Sequence, residues 1–389
     1  MARTSGRAGV TVLLLMIALF VVLGVSASSC SSKPTTTTSG TGPTTTTTAS
    51  TQVWTNLEPS GAAPSARFGE TLVYLSATEK VFMFGGAATE KDPLNDTWVY
   101  DPQNNRWLDL KPSGATPPPR WAMGAAYDPT TNQVLILGGM GKDGVILNDT
   151  WAYSVTENTW AKLSPSSSPS ARYRSIMAYD QVASKFILFG GRYSRPGFQQ
   201  DFIDTWAFDL GHDAWTDLSP SGATPTPSAG CGSLIGEGPN GSLLLLAGPG
   251  PLPPIPPYIP PEKLPKDWSR WVYDPSANSW TSGSPPPLSP AAIQYYALTF
   301  DSTRGKAVLF GGLTIRNSTP NDTWIYDPLT NAWVLALAGG PDTPSPRIDC
   351  AAVYDPKTDK VVLFGGRKVV GLNEWSTAVL PSETWSYLP

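Results

Sequence analysis

The sequence predicts an all-β fold made of many short strands joined by turns. Its 389 residues include 40 Pro and 36 Gly, a fraction expected of disordered chains or of proteins with many turns. The 15 Trp, 14 Tyr and 12 Phe decide against disorder, because disordered chains are poor in aromatic residues. The formal net charge of −4 argues against a main role in binding nucleic acid, which requires a basic surplus.

One pattern repeats along the chain from about residue 52. A typical copy has an apolar run that ends in a glycine pair, then Thr-Trp, and in five copies a second Trp follows nine residues after the first. The glycine pairs begin at Gly85, Gly138, Gly190, Gly311 and Gly365, and Ala247-Gly248 is a degenerate copy. Six copies indicate a repeat fold with a unit of about 50 residues.

The repeated unit is predicted to hold four strands. Its second strand is apolar at nearly every position, as in residues 81–84 (VFMF), which is typical of a strand covered on both faces. Four-stranded sheets stacked radially provide that burial. The sequence therefore predicts a six-bladed β-propeller of four-stranded antiparallel blades.

The two ends of the repeat region predict how the ring closes. The last unit stops at Pro389 with no room for its own fourth strand, whereas residues 53–57 have the fourth-strand pattern and no preceding unit. The N-terminal strand is therefore predicted to complete the last blade. Such closure hides sheet edges that would otherwise invite aggregation.

This pattern resembles the kelch repeat over roughly residues 52–389. The resemblance implies that the loops between second and third strands share a face with the connections between blades, which is the usual ligand face. These loops are longest in units three, four and six, and the longest contains the Pro-rich segment 249–261, expected to be extended and stiff. That segment is either a rigid recognition arm beside the channel or an insertion that covers a weak blade.

Repeated arginines are the candidate ligand-binding residues. They lie 18 residues before a glycine pair and are Arg67, Arg120, Arg172 and Arg347. Rotational symmetry would place them in a ring near one channel mouth. In the kelch adaptor of cullin ubiquitin ligases, arginines in this neighbourhood bind acidic peptide, so the resemblance implies a site for a carboxylate, a sulfate or an acidic sugar. The alternative is that each arginine bonds carbonyls of the neighbouring blade, because a residue present in most copies is explained by the fold.

Aromatic residues directly follow three of these arginines. They are Phe68, Trp121 and Tyr173. We interpret them as further ligand-binding candidates, placed to stack on a sugar or another ring.

The first 29 residues have the pattern of an export signal. Arg3 and Arg7 precede a long uncharged apolar stretch, and small residues then lead to Cys30. This resembles a bacterial lipobox, although Ala27 stands where a Leu is usual. Lipidation at Cys30 is predicted, with an uncleaved membrane anchor or ordinary cleavage as alternatives.

The rest of the chain divides into a linker and the propeller. Residues 30–52 carry Cys30 and are otherwise nearly all Thr, Ser, Gly and Pro, which predicts a flexible spacer. Residues 53–389 form the predicted propeller. Each interpretation of the N-terminus places that propeller outside the cytoplasm, and lipidation would hold it at the extracytoplasmic face of the cell membrane.

No metal site, cofactor or catalytic set is predicted. His212 is the one histidine and falls in a predicted outer turn. Galactose oxidase, an enzyme on a kelch propeller, holds copper with Tyr and more than one His, a set this chain cannot supply. Cys231 and Cys350 fall in non-adjacent units, so we expect two buried thiols rather than a disulfide.

Three hypotheses about function remain open. The first is a monomeric, non-enzymatic surface module that binds a glycan or a protein. The second is a metal-independent enzyme acting on a carbohydrate, since a sialic-acid mutarotase is also a small kelch propeller; Glu70 is its only candidate acid or base. The third is an envelope scaffold. A deep polar pocket with a carboxylate would favour the enzyme, and a broad face with exposed aromatic residues would favour protein binding.

Overall fold

The computed structural model describes residues 52–225, 232–237, 242–247, 268–286, 290, 293–314, 318–368 and 381–389. These residues form six antiparallel sheets with four principal strands each. The innermost strands of successive sheets contact one another in a closed ring around a central channel. The fold is the six-bladed β-propeller that the repeats predict.

The strands of the first three blades run in chain order from the channel outward. Blade 1 comprises Thr71–Leu75, Lys80–Phe84, Thr97–Asp101 and Arg106–Asp109. Blade 2 comprises Gly124–Asp128, Gln133–Gly141, Ile146–Ser154 and Thr159–Lys162, with the short strand Arg120–Trp121 also on its second strand. Blade 3 comprises Ile176–Asp180, Lys185–Phe189, Thr205–Asp209 and Ala214–Asp217.

The remaining blades follow the same order. Blade 4 comprises Gly232–Glu237, Leu243–Ala247, Ser269–Asp274 and Ser279–Ser282. Blade 5 comprises Ala297–Asp301, Lys306–Phe310, Thr323–Asp327 and Ala332–Leu337. Blade 6 comprises Ile348–Asp355, Lys360–Arg367, Thr384–Leu388 and Val53–Asn56.

Short ribbons extend some blades at one end of the propeller. They are Ala87–Thr89 with Asp92–Pro93, Arg192–Arg195 with Phe198–Asp201, and Ile293–Gln294 with Leu313–Thr314. A 3₁₀ turn at Lys142–Gly144 links the long strands of blade 2. These features either connect second and third strands or precede a first strand, so they lie at the same end of the blades.

The N-terminal strand closes the ring, as predicted. Val53–Asn56 pairs antiparallel with the last strand, with Val53 opposite Leu388. Trp54 is buried and packs against Phe310 and Tyr387, with ring centroids 5.0 and 5.1 Å apart. The sixth blade is thus completed by residues from both ends of the repeat region.

Repeated Trp–Thr hydrogen bonds join neighbouring blades. In five of the six blades, the indole N–H of the fourth-strand Trp donates to a Thr in the third strand of the preceding blade. These bonds, 2.7–3.1 Å long, run from Trp54 to Thr323, Trp107 to Thr384, Trp160 to Thr97, Trp215 to Thr150 and Trp280 to Thr205. Trp333 has no such partner, because Arg270 stands at the Thr position in blade 4. The repeated Trp marks are therefore structural.

The glycine pair lets adjacent blades approach closely. Gly85 and Gly86 have φ of 65° and 95°, in the left-handed region that a side chain disfavours. A Cβ on Gly85 would lie 2.6 Å from the carbonyl oxygen of Arg120, and the amide of Gly86 donates to that same oxygen at 3.0 Å. A glycine is required because the next blade's backbone lies against it.

Several predicted features lie outside the described residues. They are the export signal at 1–29, Cys30, the linker up to residue 51, Cys231 and the Pro-rich segment 249–261. Cys350 is a buried free thiol. In the ranges that the structure describes, no helix has the length and apolar character needed to cross a bilayer.

Candidate functional site

The four predicted arginines are fully buried, and each pairs within its own blade. The five N–H groups of Arg67 bond two oxygens of Ser65, the carbonyl of Gly85 and both carboxylate oxygens of Asp96, at 2.5–3.0 Å. The other pairs, at 2.6–2.9 Å, are Arg120 with Asp149, Arg172 with Asp204 and Arg347 with Glu383. An acidic ligand would reach these guanidinium groups only by displacing a carboxylate.

The arginines join blades through their backbone rather than through their side chains. Each carbonyl oxygen accepts a hydrogen bond from the second glycine of the preceding blade's pair, as Arg172 accepts from Gly139 at 2.8 Å. The side chain bonds the first glycine carbonyl of its own blade, as Arg172 bonds Gly190 at 2.8 Å. The alternative prediction is that each arginine side chain bonds carbonyls of the neighbouring blade. The side chains do bond a carbonyl, but it belongs to their own blade.

The salt bridges shift the pKa of the carboxylates that pair with these arginines. Burial alone would raise the pKa of Asp96, but hydrogen bonds and charge from Arg67 outweigh it and hold the pKa below its usual range. The same balance, with Arg120, lowers the pKa of Asp149. Both carboxylates are therefore charged at neutral pH and compensate the buried arginines.

The three aromatic candidates are buried in a stack between blades. Phe68, Trp121 and Tyr173 are 2%, 4% and 8% exposed. Phe68 and Trp121 have ring centroids 5.2 Å apart, and Trp121 and Tyr173 are 6.0 Å apart, both in edge-on geometry. Their faces are covered by protein, so they offer little open surface to a ligand.

A different set of residues surrounds the channel at this end. The residue two positions after each repeated arginine, or after its counterpart, has a left-handed φ between 53° and 67° in every blade where the structure describes it. We call these residues the mouth ring: Gly69, Ala122, Arg174, Tyr295 and Asp349. Residues other than Gly rarely adopt this conformation, and such strain concentrates at functional sites.

Backbone hydrogen bonds connect the mouth ring from blade to blade. The amide of Ala122 donates to the carbonyl of Gly69, and the amide of Arg174 donates to the carbonyl of Ala122, both at 2.7 Å. Gly69 donates to Asp349, and Asp349 to Tyr295, both at 2.9 Å. These bonds fix the backbone of the ring and hold its side chains at the channel.

An ion pair spans the channel between opposite blades. Arg174 of blade 3 lies 2.7 Å from Asp349 of blade 6, and Arg367 lies 2.9 Å from the other carboxylate oxygen. The guanidinium of Arg174 also stacks over Tyr295, 4.3 Å from the ring centroid. Burial would raise the pKa of Asp349, but the two arginines outweigh it and lower that pKa. The pair is therefore charged and compensated.

A pocket of about 230 Å³ lies at the mouth ring. It is lined by the ring itself and by the residues that follow it, including Glu70, Met123, Ser175 and Cys350. The carboxylate oxygens of Glu70 and the hydroxyl of Ser175 are buried, and no partner meets them in good hydrogen-bond geometry. Burial raises the pKa of Glu70 to about 8, although Arg67 and nearby amides oppose it. Glu70 is therefore protonated at neutral pH.

A second cavity, of about 570 Å³, occupies the opposite end of the channel. Its lining includes an aromatic residue near the end of the innermost strand in five blades: Tyr74, Tyr127, Tyr179, Phe300 and Tyr354. The fold explains these residues, because they recur at one position of the repeat.

Exposed apolar side chains mark the loops of blades 2 and 3 at the mouth-ring end. Val145 follows the 3₁₀ turn and is 56% exposed, and Phe198, on the ribbon of blade 3, is 46% exposed. Ile203, just after that ribbon, is 42% exposed. The guanidinium of Arg195 lies over the Phe198 ring at 5.4 Å. We call the surface that carries Val145, Arg195, Phe198 and Ile203 the loop face.

Sequence reasoning named Glu70 but missed Arg174, Tyr295 and Asp349. These three residues could have been found by comparing which positions of the repeat vary between copies. The arginine position keeps one residue in four copies, whereas the position two residues later differs in every copy. A position that the fold leaves variable can carry the chemistry of a single site.

No metal centre appears among these residues. In the described ranges, no three His, Cys, Asp or Glu side chains are grouped so as to hold a metal ion. His212 lies on an exposed turn, with its Nδ1 atom 3.0 Å from Asp209.

A family model agrees with this architecture. The model described as the KLHDC2/KLHL20/DRC7 Kelch-repeats domain matches residues 35–245. The chain belongs to the kelch-repeat family.

Relatives of this kelch propeller occur within much larger proteins. Host cell factor of Drosophila melanogaster is 32% identical over 160 residues, which are 36% of this chain and 10% of that protein. An F-box/kelch-repeat protein of Arabidopsis thaliana is 31% identical over 158 residues, 38% of this chain and 31% of the relative. The flagellar outer-arm dynein alpha chain of Chlamydomonas reinhardtii is 25% identical over 340 residues, 80% of this chain and 7% of the relative. The kelch propeller thus spans less than a third of each of these relatives.

Proposed function

We propose that this kelch propeller is a monomeric protein-interaction module that binds its partner through the loop face. The observation that carries the proposal is the exposure of Val145, Phe198 and Ile203 on projecting loops of adjacent blades. Apolar side chains exposed on the loops of a rigid scaffold are typical of binding surfaces.

The chemistry of the loop face supports a protein partner. Phe198 with Arg195 stacked on it combines an aromatic residue and an arginine, the residue types that are enriched in protein interfaces and their hot spots. The repeated arginines, in contrast, are fully buried and paired with carboxylates. We therefore expect the partner protein to contact the exposed apolar side chains of the loop face.

We also propose that the propeller is held outside the cell by a lipid on Cys30. The support is the amino-acid pattern of residues 1–30, in which a basic start, an apolar stretch and small residues precede that cysteine. Metabolic labelling with an alkyne fatty acid tests it. Label should appear on the full chain and be lost in Cys30→Ser, and equal labelling of the two would refute lipidation.

Site-specific photo-crosslinking in the producing cell tests the loop face. A photoreactive residue at Phe198 or Val145 should crosslink to one partner protein, because both positions are exposed at the mouth-ring end. The matched control is Leu329, which is 95% exposed on the turn between third and fourth strands, at the other end of a blade. Crosslinking from Leu329 alone, or from none of these positions, would contradict the proposal.

A substitution then tests whether those contacts contribute to binding. Phe198→Ala combined with Val145→Ala should weaken capture of the crosslinked partner by tenfold or more, the expected order for a hot spot of about 2 kcal/mol. Leu329→Ala should leave capture unchanged. All variants should keep the wild-type melting temperature, since the substituted side chains are exposed.

A further inference from the structure

The outermost strand of blade 5 differs from those of the other five blades. Ala332–Leu337 has six residues with the sequence AWVLAL, whereas every other fourth strand has four residues. Leu335, two residues after the repeated Trp, is 43% exposed, and Val334 beside it is 59% exposed. The residue at the Leu335 position is charged or polar in all the other blades: Asp109, Lys162, Asp217, Ser282 and Asn56.

This difference matters because the outer strand of a blade is a sheet edge. An unpaired edge presents a row of N–H and C=O groups, and charged side chains on it discourage other chains from pairing there. Blade 5 lacks such protection, since residues 332–340 include no charged side chain. Its outer strand is therefore open to pairing that the polar residues of the other blades discourage.

The connection that enters each blade from the preceding one also covers some edges. In blades 1, 2 and 4 the Asn before the fourth strand bonds this connection through its side chain, and its carbonyl accepts a serine amide three residues further along. The serine bonds, 3.1–3.3 Å long, run from Ser60 to Asn105, Ser113 to Asn158 and Ser221 to Asn278.

Blade 5 cannot make the serine bond of this connection. The side chain of Asn331 does bond the connection, at the carbonyl of Ser284, at 2.9 Å. Three residues further along stands Pro287, and proline has no amide hydrogen to donate. The start of this edge therefore lacks a bond that three other blades share.

The backbone groups of Trp333 and Leu335 are directed away from the blade. Alternate residues of an antiparallel strand direct their N–H and C=O groups to opposite sides. In blade 3 the carbonyl of Trp215, which corresponds to Trp333, accepts a bond from Ser167 of the incoming connection at 2.9 Å, so this position points outward. Among the residues that the structure describes, no backbone hydrogen bond is made to the outward groups of Trp333 and Leu335.

The dimensions of this edge favour a flexible segment over a second propeller. The free stretch is short, because a register shift places a bulge at Ala336. A rigid copy that met it edge to edge would bury far less than the roughly 1,200 Å² at which specific stable interfaces begin. An extended segment can instead add itself as a further strand, as in β-strand addition, and cover both faces of the edge.

The side chains beside the edge define the chemistry of that segment. Val334 and Leu335 point to opposite faces of the sheet, because side chains alternate along a strand. Apolar residues at consecutive positions of the segment would cover both. A charge in the segment would lose water without meeting an opposite charge from residues 332–340.

We infer that the outer strand of blade 5 binds an extended, uncharged, apolar segment of a partner protein, which pairs with residues 333–335 as a further strand. This site lies on the outer edge of the propeller and is separate from the loop face.

Fluorescence anisotropy with the full chain in detergent tests the inference. The probe is a labelled peptide, Gly-Thr-Val-Ile-Val-Thr-Gly, capped at both ends so that it has no terminal charge. It should bind with a Kd of about 1 mM or below. The same peptide methylated on the amides of its three central residues should not bind, because it cannot donate hydrogen bonds to the edge. Absence of binding by the first peptide, or equal binding of both, would overturn the inference.

Substitutions in the propeller locate the binding. Leu335→Asp introduces the residue that blades 1 and 3 have at this position, and it should weaken peptide binding by about tenfold or more, since the charge would be desolvated. If that variant does not fold, Leu335→Asn, with the residue of blade 6, decides the result. Leu108→Asp is the matched control, because Leu108 is 44% exposed on the outer strand of blade 1. Wild-type binding in the folded Leu335 variant, or equal loss in the control, would overturn the inference.

Sedimentation velocity without peptide distinguishes a partner segment from a second copy. The wild-type chain should sediment as a single species at every concentration. A concentration-dependent dimer that Leu335→Asp abolishes would assign this edge to a second copy and overturn the inference.

Discussion

Glu70 should make the propeller less stable as the pH rises, and Glu70→Gln should remove that loss. Burial raises the pKa of Glu70 from 4.5 to about 8 in the folded chain. Between these values the folded state holds a proton that the unfolded state has released. The free energy of unfolding therefore falls with increasing pH across this window.

The size of the effect follows from the shift. One pKa unit corresponds to about 1.4 kcal/mol, so at pH 7 the wild type has lost about 3 kcal/mol relative to pH 4. Glutamine has nearly the same shape and does not titrate. The stability of Glu70→Gln relative to wild type should therefore increase by about 1.4 kcal/mol per pH unit between pH 5 and pH 7.

Urea unfolding at pH 5, 6, 7 and 8 measures this difference. Subtracting wild type from variant at each pH cancels the titration of all other groups. Glu157→Gln, at an exposed site, should show a difference that does not change with pH. A difference for Glu70→Gln that stays constant from pH 5 to pH 8 would refute the reasoning, because it would mean that Glu70 titrates alike in both states.

Three further predictions concern the links between and within blades. Thr97→Val removes the acceptor of the Trp160 indole and should lower the free energy of unfolding by about 1–3 kcal/mol in urea titration, and an unchanged midpoint would count against the bond. Asp149→Asn leaves Arg120 uncompensated and should cost about 3–5 kcal/mol. Because the pKa of Asp149 is lowered on folding, this cost should be full at neutral pH and fade as pH falls below about 4, and a pH-independent cost would be inconsistent with it. Deleting Val53–Asn56 should expose an unpaired edge in blade 6 and produce oligomers by light scattering, whereas a stable monomer would contradict the role of that strand.

The fold could be predicted from sequence because its determinants are local and repeated. The glycine pair at Gly85 indicates a backbone with positive φ. The fourth-strand Trp follows the third-strand Trp at a fixed spacing in the sequence. Even the closure by Trp54 is visible, since its segment carries the pattern of a missing strand. Each signal recurs, so one weak copy does not obscure the period.

The candidate site was harder to predict because it depends on residues from opposite blades. Arg67 belongs to a repeated position, which suggested a ligand site. Its actual partner is Asp96, which directly precedes Thr97-Trp98 in the same blade. Arg174 and Asp349 meet only because the ring closes and places blades 3 and 6 across the channel. No local spacing encodes that meeting, and neither does any local pattern reveal the burial of Glu70.

The strand that closes the ring also sets a time scale for the protein's synthesis. Val53–Asn56 is the first strand of the propeller to be made, and its partner, Thr384–Leu388, is the last strand of the propeller. Translation proceeds at about 5–20 residues per second, so roughly 330 intervening residues delay this pairing by about 20–70 s. Throughout that interval Val53–Asn56 has no strand to pair with in the propeller. The other blades must form without pairing incorrectly with this free strand. The last strand of the propeller to be synthesised therefore pairs with the first one.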